Sequence, residues 1–247
     1  FEAFNVGPDD VDRDDSFYRD APFDFFAPNV WPKETATMRA AVDAYFREAH
    51  RVAMTLTDVF AAALGLGDEW FRPHVDRSTV TMRVNHYERR VDDPPPLEAQ
   101  MRMGAHTDYG VVTVLYADAV PGLQIVGPNG AWHDVVAAPG ALLVNLGDLT
   151  AQWTNDRWRS TLHRVVPPPV DGSGAAVRRS MAFFLDGNYD ALVECLPTCT
   201  SAGSPPRYAP VRAGDHLIAK VLGPRTLTAS EAMDTAGDRL GVALEAS

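Results

Sequence analysis

Between Thr35 and Leu64 apolar residues recur at steps of three and four: Met38, Val42, Tyr45, Ala49, Val52, Leu56, Val59, Phe60 and Ala63. That spacing predicts one long helix with these residues along one face. Thr35 or Thr37 can cap its start and Gly65 can end it. A helix with a single apolar stripe needs a flat surface to cover, and a sheet supplies one. Beyond about Thr79 the period shortens. Residues 79–87, 99–105, 111–116, 122–126, 132–136, 141–146, 161–166 and 178–185 read as short strands. Turn signals separate them, at Pro94-Pro95-Pro96, Pro121-Gly122, Pro128-Asn129-Gly130, Pro139-Gly140 and Asp171-Gly172-Ser173-Gly174. The pattern predicts a mainly β fold with flanking helices, built as a sandwich, barrel or jelly roll. Residues 1–34 read as irregular, with Pro8, Pro22, Pro28 and Pro32 as breaks and aromatics that pack on a neighbour. Residues 229–245 read as a further short helix outside the sheet.

With 247 residues, 46% of them hydrophobic, the chain is long enough for one sizeable core, and 1–247 is read as a single domain. Within it, 1–78 form an N-terminal segment and helix, 79–187 the strand-rich core and 188–247 a C-terminal segment. The net charge of -11 speaks against nucleic acid, since no basic stripe exists to displace counterions from phosphates, and against an anionic membrane surface. No apolar run is long enough to span a bilayer. Cys195 and Cys199 are too few for a disulfide framework and fit a reducing cytoplasm. The opening Phe1-Glu2-Ala3-Phe4 leads into acidic residues, which resembles neither a signal nor a transit peptide and reads as a point inside a longer gene product.

The informative chemistry is His106-Thr107-Asp108 with a single later partner, His163. On an extended strand, residues two apart share a face, so His106 and Asp108 are expected to point at one spot. Two imidazoles and a carboxylate on one face of an octahedron leave three positions open, the arrangement associated with Fe(II) oxygenases. His163 lies in the strand-like run Ser160 to Val166, 55 residues after Asp108. The run Arg178-Arg179-Ser180 then places Arg178 and Ser180 on one strand face. A guanidinium fork with a neighbouring hydroxyl suits a carboxylate at the inner end of a pocket. His50, His74, His86, His133 and His216 lack paired acids at ligand spacing, and Asp148 reads as a turn or structural residue. Arg179 alternates outward, and Trp153 and Trp158 read as packing residues.

These segments resemble the isopenicillin N synthase-like branch of the Fe(II)/2-oxoglutarate dioxygenases. The match runs through Arg83-Val84-Asn85-His86-Tyr87, His106 to Gly110, Pro121 to Ile125, Asn145-Leu146-Gly147-Asp148, Trp153 to Val165 and Arg178 to Phe184, in the family's order. The resemblance implies a double-stranded β-helix with the long helix on its outer face. It implies Fe(II) held by His106, Asp108 and His163, and 2-oxoglutarate as co-substrate held by Arg178 and Ser180, with Tyr87 and Asn85 beside it. It implies a small-molecule substrate and O2, hydroxylation, desaturation or cyclisation, and succinate and CO2 as co-products. By the same resemblance Met101, Met103, Tyr109, Gln124 and Phe184 are candidates to line the substrate pocket. Asp108 occupies the position where related halogenases have a small residue, so halogenation is not expected. Relatives carry an N-terminal stretch of some tens of residues ahead of the point where this sequence begins. An oxidase that uses O2 without 2-oxoglutarate would keep the same motif, and a third reading is a catalytically silent jelly-roll binding protein, against which the intact triad counts.

Overall fold

A computed structural model of the chain describes residues 1–33, 36–90, 92–97, 100–167 and 176–226. Strand β1 (Glu2–Val6) and a single helical turn, α1 (Ser16–Arg19), precede the long helix α2 (Ala36–Ala63) and a second turn, α3 (Arg72–Val75). Seven strands follow: β2 (Thr81–Arg89), β3 (Met103–His106), β4 (Val112–Ala117), β5 (Leu123–Val126), β6 (Trp132–Asp134), β7 (Leu143–Leu146) and, after the short helix α4 (Asp148–Trp153), β8 (His163–Val165). Strand β9 (Ala176–Leu185), the small pair β10 (Leu192–Val193) and β11 (Val211–Arg212), and helix α5 (Ala213–Thr226) complete the order.

These strands form two main antiparallel sheets. The major one runs β1-β2-β9-β4-β7 and the minor one β3-β8-β5-β6. Apart from the β5–β6 hairpin, consecutive strands from β2 to β9 alternate between the sheets, the winding of a jelly roll. Each of the eight strand segments read from the sequence overlaps an observed strand. The N-terminal segment departs from its reading as irregular. Residues 2–6 pair with β2, from Glu2 opposite His86 to Val6 opposite Met82. Its aromatics pack as expected, with Phe17 4.4 Å from Tyr189 and Phe4 5.6 Å from Trp31 between ring centroids. Helix α5 was not legible, because glycines lie within it and the apolar run between them is short. The helix expected at 229–245 and the turn at 171–174 lie outside the described residues.

Helix α2 lies on the outer face of the major sheet, and most of the stripe that the apolar pattern suggests packs there, with Ala49 buried and Val42, Tyr45, Val52, Leu56 and Phe60 partly buried against the core. Ala49, Ala53, Thr57 and Ala61 are the buried positions, at four-residue steps, whereas Met38 and Val59 are exposed. Small side chains let the helix approach the sheet closely, and larger residues flank the contact, as where Phe46 meets Phe183 edge to face at 5.1 Å. The main core therefore sits between helix and sheet, with Met82, Val112, Val114, Phe183 and Leu185 on the strands. A smaller cluster of Tyr87, Leu123 and Val165, joined by Met103, Leu115 and Leu143, lies between the two sheets. It only partly fills that layer, and polar residues occupy the rest of the inner face.

Candidate metal centre and carboxylate pocket

Strand register assigns the inner face residue by residue, because side chains directly opposite one another share a face. Thr81, Phe184, Thr113 and Asn145 form one row across the major sheet. Arg83, Ala182, Leu115 and Leu143 form the next, Asn85, Ser180 and Ala117 the one after, Tyr87 faces Arg178 in the row beyond, and Arg89 faces Ala176 in the last. Leu115, Leu143 and Tyr87 all belong to the cluster between the sheets, so these rows face the minor sheet.

His106 ends β3 opposite His163 on β8. A bulge between Met103 and His106 shifts the register, and this lets both Met103 and His106 serve the same interior despite their odd spacing. Asp108 is not on that strand. It sits in the turn between β3 and β4, so strand alternation is not what aligns it with His106. A backbone clasp does so instead. The Asp148 amide donates to the Asp108 carbonyl at 2.8 Å, Gly147 donates to Val111 at 3.1 Å and Leu149 donates to Gly110 at 3.1 Å. A methyl group at Gly147 would overlap the Gly110 backbone, and one at Gly110 would overlap the Asp186 carboxyl. The two glycines are what allow this approach.

The result is a cluster in which the ligand atoms of His106, Asp108 and His163 all lie within 4.8 Å of one another. Nε2 of His163 is 3.7 Å, and Nε2 of His106 3.9 Å, from Oδ1 of Asp108. Donors on adjacent corners around one ion about 2.1 Å away would stand about 3 Å apart, so a modest contraction suffices. The supporting hydrogen bonds select the coordinating atoms. Nδ1 of His106 lies 2.8 Å from the Gly104 carbonyl and Nδ1 of His163 lies 2.9 Å from that of Thr161. A carbonyl can only accept, so each Nδ1 carries the proton and each Nε2 keeps its lone pair. Oδ2 of Asp108 accepts from Thr113 at 2.5 Å and from Asn145 at 2.6 Å, which leaves Oδ1 for a cation. Thr113 and Asn145 carry no site role in the sequence reading. The only signal for Asn145 was its place in the Asn145-Leu146-Gly147-Asp148 segment.

At the other end of the inner face, Arg178 is 3% exposed. Its Nη1 donates to Ser180 at 3.4 Å, its guanidinium lies 5.6 Å from the Tyr87 ring centre, and among the described residues its Nε has no partner. Oδ1 of Asn85 is likewise buried without a partner, while its amide nitrogen donates to Ser180 at 3.5 Å. Burial pushes the guanidinium below its ordinary pKa and pushes the Tyr87 phenol up. A buried charge with unused donors is costly unless an anion meets it, so the donor set fits a carboxylate.

The pocket candidates divide. Phe184 and Met103 point between the sheets. Tyr109 follows Asp108 directly and lies under helix α5, with Nζ of Lys220 5.8 Å from its ring centre. Lys220 is anchored there by Asp148 at 2.7 Å. Met101 is exposed on the loop ahead of β3. Gln124 must be corrected. Its neighbour Ile125 is the residue opposite His163, so Gln124 turns to the outer face, where Arg164 donates to it at 2.8 Å and it donates to Asp134 at 3.0 Å. Arg179 is exposed, and its backbone amide donates to Asp118 at 2.6 Å.

One group near the metal cluster had no role in the sequence reading. Asp186 is buried behind Gly110, and burial, followed by the charge of Asp108, pushes its carboxyl up to about 7.

Comparison with known proteins agrees with this geometry. Residues 71–187 match the model of the 2OG-Fe(II) oxygenase superfamily. The chain is 36% identical over 194 residues to the 2-oxoglutarate-Fe(II) type oxidoreductase hxnY of Emericella nidulans, covering 77% of this chain and 54% of that protein. It is 34% identical to the validamycin A dioxygenase of Streptomyces hygroscopicus subsp. limoneus, covering 89% of this chain and 58% of that one. Among solved structures, a full-length Neurospora crassa protein in complex with alpha-KG and thymine superposes with a TM-score of 0.78 at 28% identity, over 90% of this chain and 64% of that one. The chain thus spans between about half and two thirds of the length of these proteins. With motif order, jelly-roll topology and the His-Asp-His cluster in agreement, the chain belongs to the 2OG-Fe(II) oxygenase superfamily.

Proposed function

We propose that this chain is an Fe(II)- and 2-oxoglutarate-dependent oxygenase acting on a small organic molecule. The observation that carries the reading is the pairing of two sites in the one interior between the sheets. One is a three-donor cluster with its coordinating atoms already selected by hydrogen bonding. The other is a buried arginine with unused donors. In this reading His106, Asp108 and His163 hold the metal by one face. Arg178 and Ser180 grip the distal carboxylate of 2-oxoglutarate, with Tyr87 and Asn85 beside it. Fe(II) and 2-oxoglutarate, when bound, would activate O2, one oxygen atom passing to succinate as 2-oxoglutarate loses CO2 and the other to the hydroxylated product, or to water where the outcome is desaturation or cyclisation. The protein's own work is positional. Gly104 and Thr161 fix the imidazole tautomers, Thr113 and Asn145 keep Asp108 in one rotamer, and the sheet interior limits access of water. Met103, Phe184 and Tyr109 are the lining residues nearest this centre.

Among the described residues no helix is long and apolar enough to cross a membrane. A cytoplasmic setting is supported by two free thiols, Cys195 and Cys199. The net charge of -11 supports a small-molecule partner over a nucleic acid.

Anaerobic titration with Fe(II) and then 2-oxoglutarate tests the proposal. One metal and one co-substrate per chain are expected. Asp108→Ala should weaken metal binding by more than about 100-fold, since loss of even an outer partner costs 10–100-fold. Arg178→Met should leave the metal in place and weaken 2-oxoglutarate by about 100-fold or more. A chain that binds Fe(II) but turns over substrate without trapping succinate would be an oxidase instead. One that binds neither ligand would not be an enzyme of this kind.

A further inference from the structure

Resting on the oxygenase reading, we infer that Arg89 is a second guanidinium of the carboxylate pocket, sharing with Arg178 the distal carboxylate of 2-oxoglutarate. Among the described residues two arginines are buried, Arg89 at 8% exposed and Arg178 at 3%. Both lie on the inner face, in neighbouring rows at the end away from the metal cluster. Arg178 stands opposite Tyr87, and Arg89, opposite Ala176, belongs to the next row along. A row is two residues, about 6.6 Å along a strand. Diagonal neighbours on paired strands lie within reach of long side chains. Ser180, which accepts from Arg178, stands one row nearer the metal. A carboxylate gripped by Arg178 thus has Ser180 on its metal side and Arg89 on its far side.

Among the described residues no carboxylate pairs with either charge. Nε and Nη1 of Arg89, like Nε of Arg178, are buried there without a hydrogen-bond partner. Asp118, the acid whose charge reaches Arg178, spends its two oxygens on the backbone amides of Val120 at 3.3 Å and Arg179 at 2.6 Å. Exposed arginines elsewhere in this acidic chain do meet carboxylates: Arg39 with Asp9, Arg51 with Glu48, Arg72 with Asp58, and the neighbouring Arg90 with Glu88. Two like charges one row apart, in an interior walled by Tyr87, Leu123 and Val165, repel one another, and each carries a desolvation cost. One carboxylate between them relieves both, because its two oxygens can take a guanidinium fork from each side. The hydroxyl of Ser180 is neutral and cannot do this. The same arrangement makes the pocket selective. A 2-oxo acid with an anionic far end gains from Arg89, and one with an apolar far end does not.

The test uses the full chain loaded anaerobically with Fe(II) and dialysed to equilibrium against 2-oxoglutarate or 2-oxopentanoate, which has the same chain length and no distal carboxylate. Bound fractions are read by mass spectrometry, and bound iron is measured in the same cells. Arg89→Met should weaken 2-oxoglutarate by about ten-fold or more, the size expected for a charge-assisted fork. It should leave 2-oxopentanoate within a few-fold and Fe(II) unchanged. Arg89→Lys keeps the charge and loses the fork, so it should show a smaller loss of the same kind, and it carries the test alone if the methionine variant does not fold. An unchanged preference for 2-oxoglutarate over 2-oxopentanoate in the folded variants would overturn the assignment. So would equal weakening of both acids, which would make Arg89 a structural residue only. Failure of the unmodified chain to hold 2-oxoglutarate would instead remove the oxygenase reading beneath it.

Discussion

The Asp108 carboxylate shows how much a metal ligand depends on residues that never touch the metal. Its Oδ2 is held by two donors at 2.5 and 2.6 Å, one from β4 and one from β7. Thr113→Val removes one of them with little change of shape. Metal affinity is then expected to fall by about 10–100-fold, measured by anaerobic Fe(II) titration, with the fold intact by circular dichroism. An unchanged affinity would mean that Asn145 alone positions the carboxylate. Asp186 makes a different prediction. In the folded, metal-free chain its carboxyl keeps the proton to about pH 7, whereas its ordinary value is 3.8. Between those values the folded state holds the extra proton, so stability falls as pH rises through this window and the loss is complete above it. Asp186→Asn removes that slope. At pH 8, in the presence of a chelator, the variant should be more stable than the parent by an amount on the order of a few kcal/mol, and the two should converge near pH 4. Urea unfolding at both pH values measures this, and equal slopes would count against it.

At the scale of elements, the long helix and the bulged strand make opposite points. The boundaries of α2 were readable because a three-and-four period over 28 residues has no other physical solution. Its contact stripe was readable in large part, since Val42, Tyr45, Ala49, Val52, Leu56 and Phe60 all pack against the core, but the centre of the contact runs through the small residues Ala53, Thr57 and Ala61, while Met38 and Val59 are exposed. Ala53 is completely buried, so Ala53→Leu should force the helix away from the sheet and cost about 1–3 kcal/mol. The urea midpoint should drop, while affinity for Fe(II) and 2-oxoglutarate stays within a few-fold, because the helix covers the outer face and the ligands would use the inner one. In β3 the bulge has no sequence signature beyond Gly104, yet it decides that His106 points at His163. The Gln124 error has a related cause. One residue along a strand changes the face, and register is fixed by partner strands far away in sequence.

Across the whole molecule, the division of labour follows from the two faces of one sheet. The outer face builds the core with α2, and this frees the inner face to carry polar and charged groups that a core could not tolerate. Arg178 can remain buried with unused donors because the rest of the molecule supplies the stability to hold it. His106, Asp108, His163, Arg178 and Ser180 were all nameable in advance because their chemistry is distinctive and their order matches a known pattern. Thr113, Asn145 and Asp186 were not, since threonine, asparagine and aspartate serve many ordinary roles and become informative only through what they touch.

The sequence by itself determined the element types, the mainly β class and the identity of the charged and coordinating side chains, because these depend on local period and on side-chain chemistry. Tertiary structure alone decided which atom of each side chain points into the cluster, which face Gln124 occupies, and how Gly110 and Gly147 clasp Asp108. Those outcomes depend on register and close approach between segments distant along the chain, and no local pattern encodes that distance.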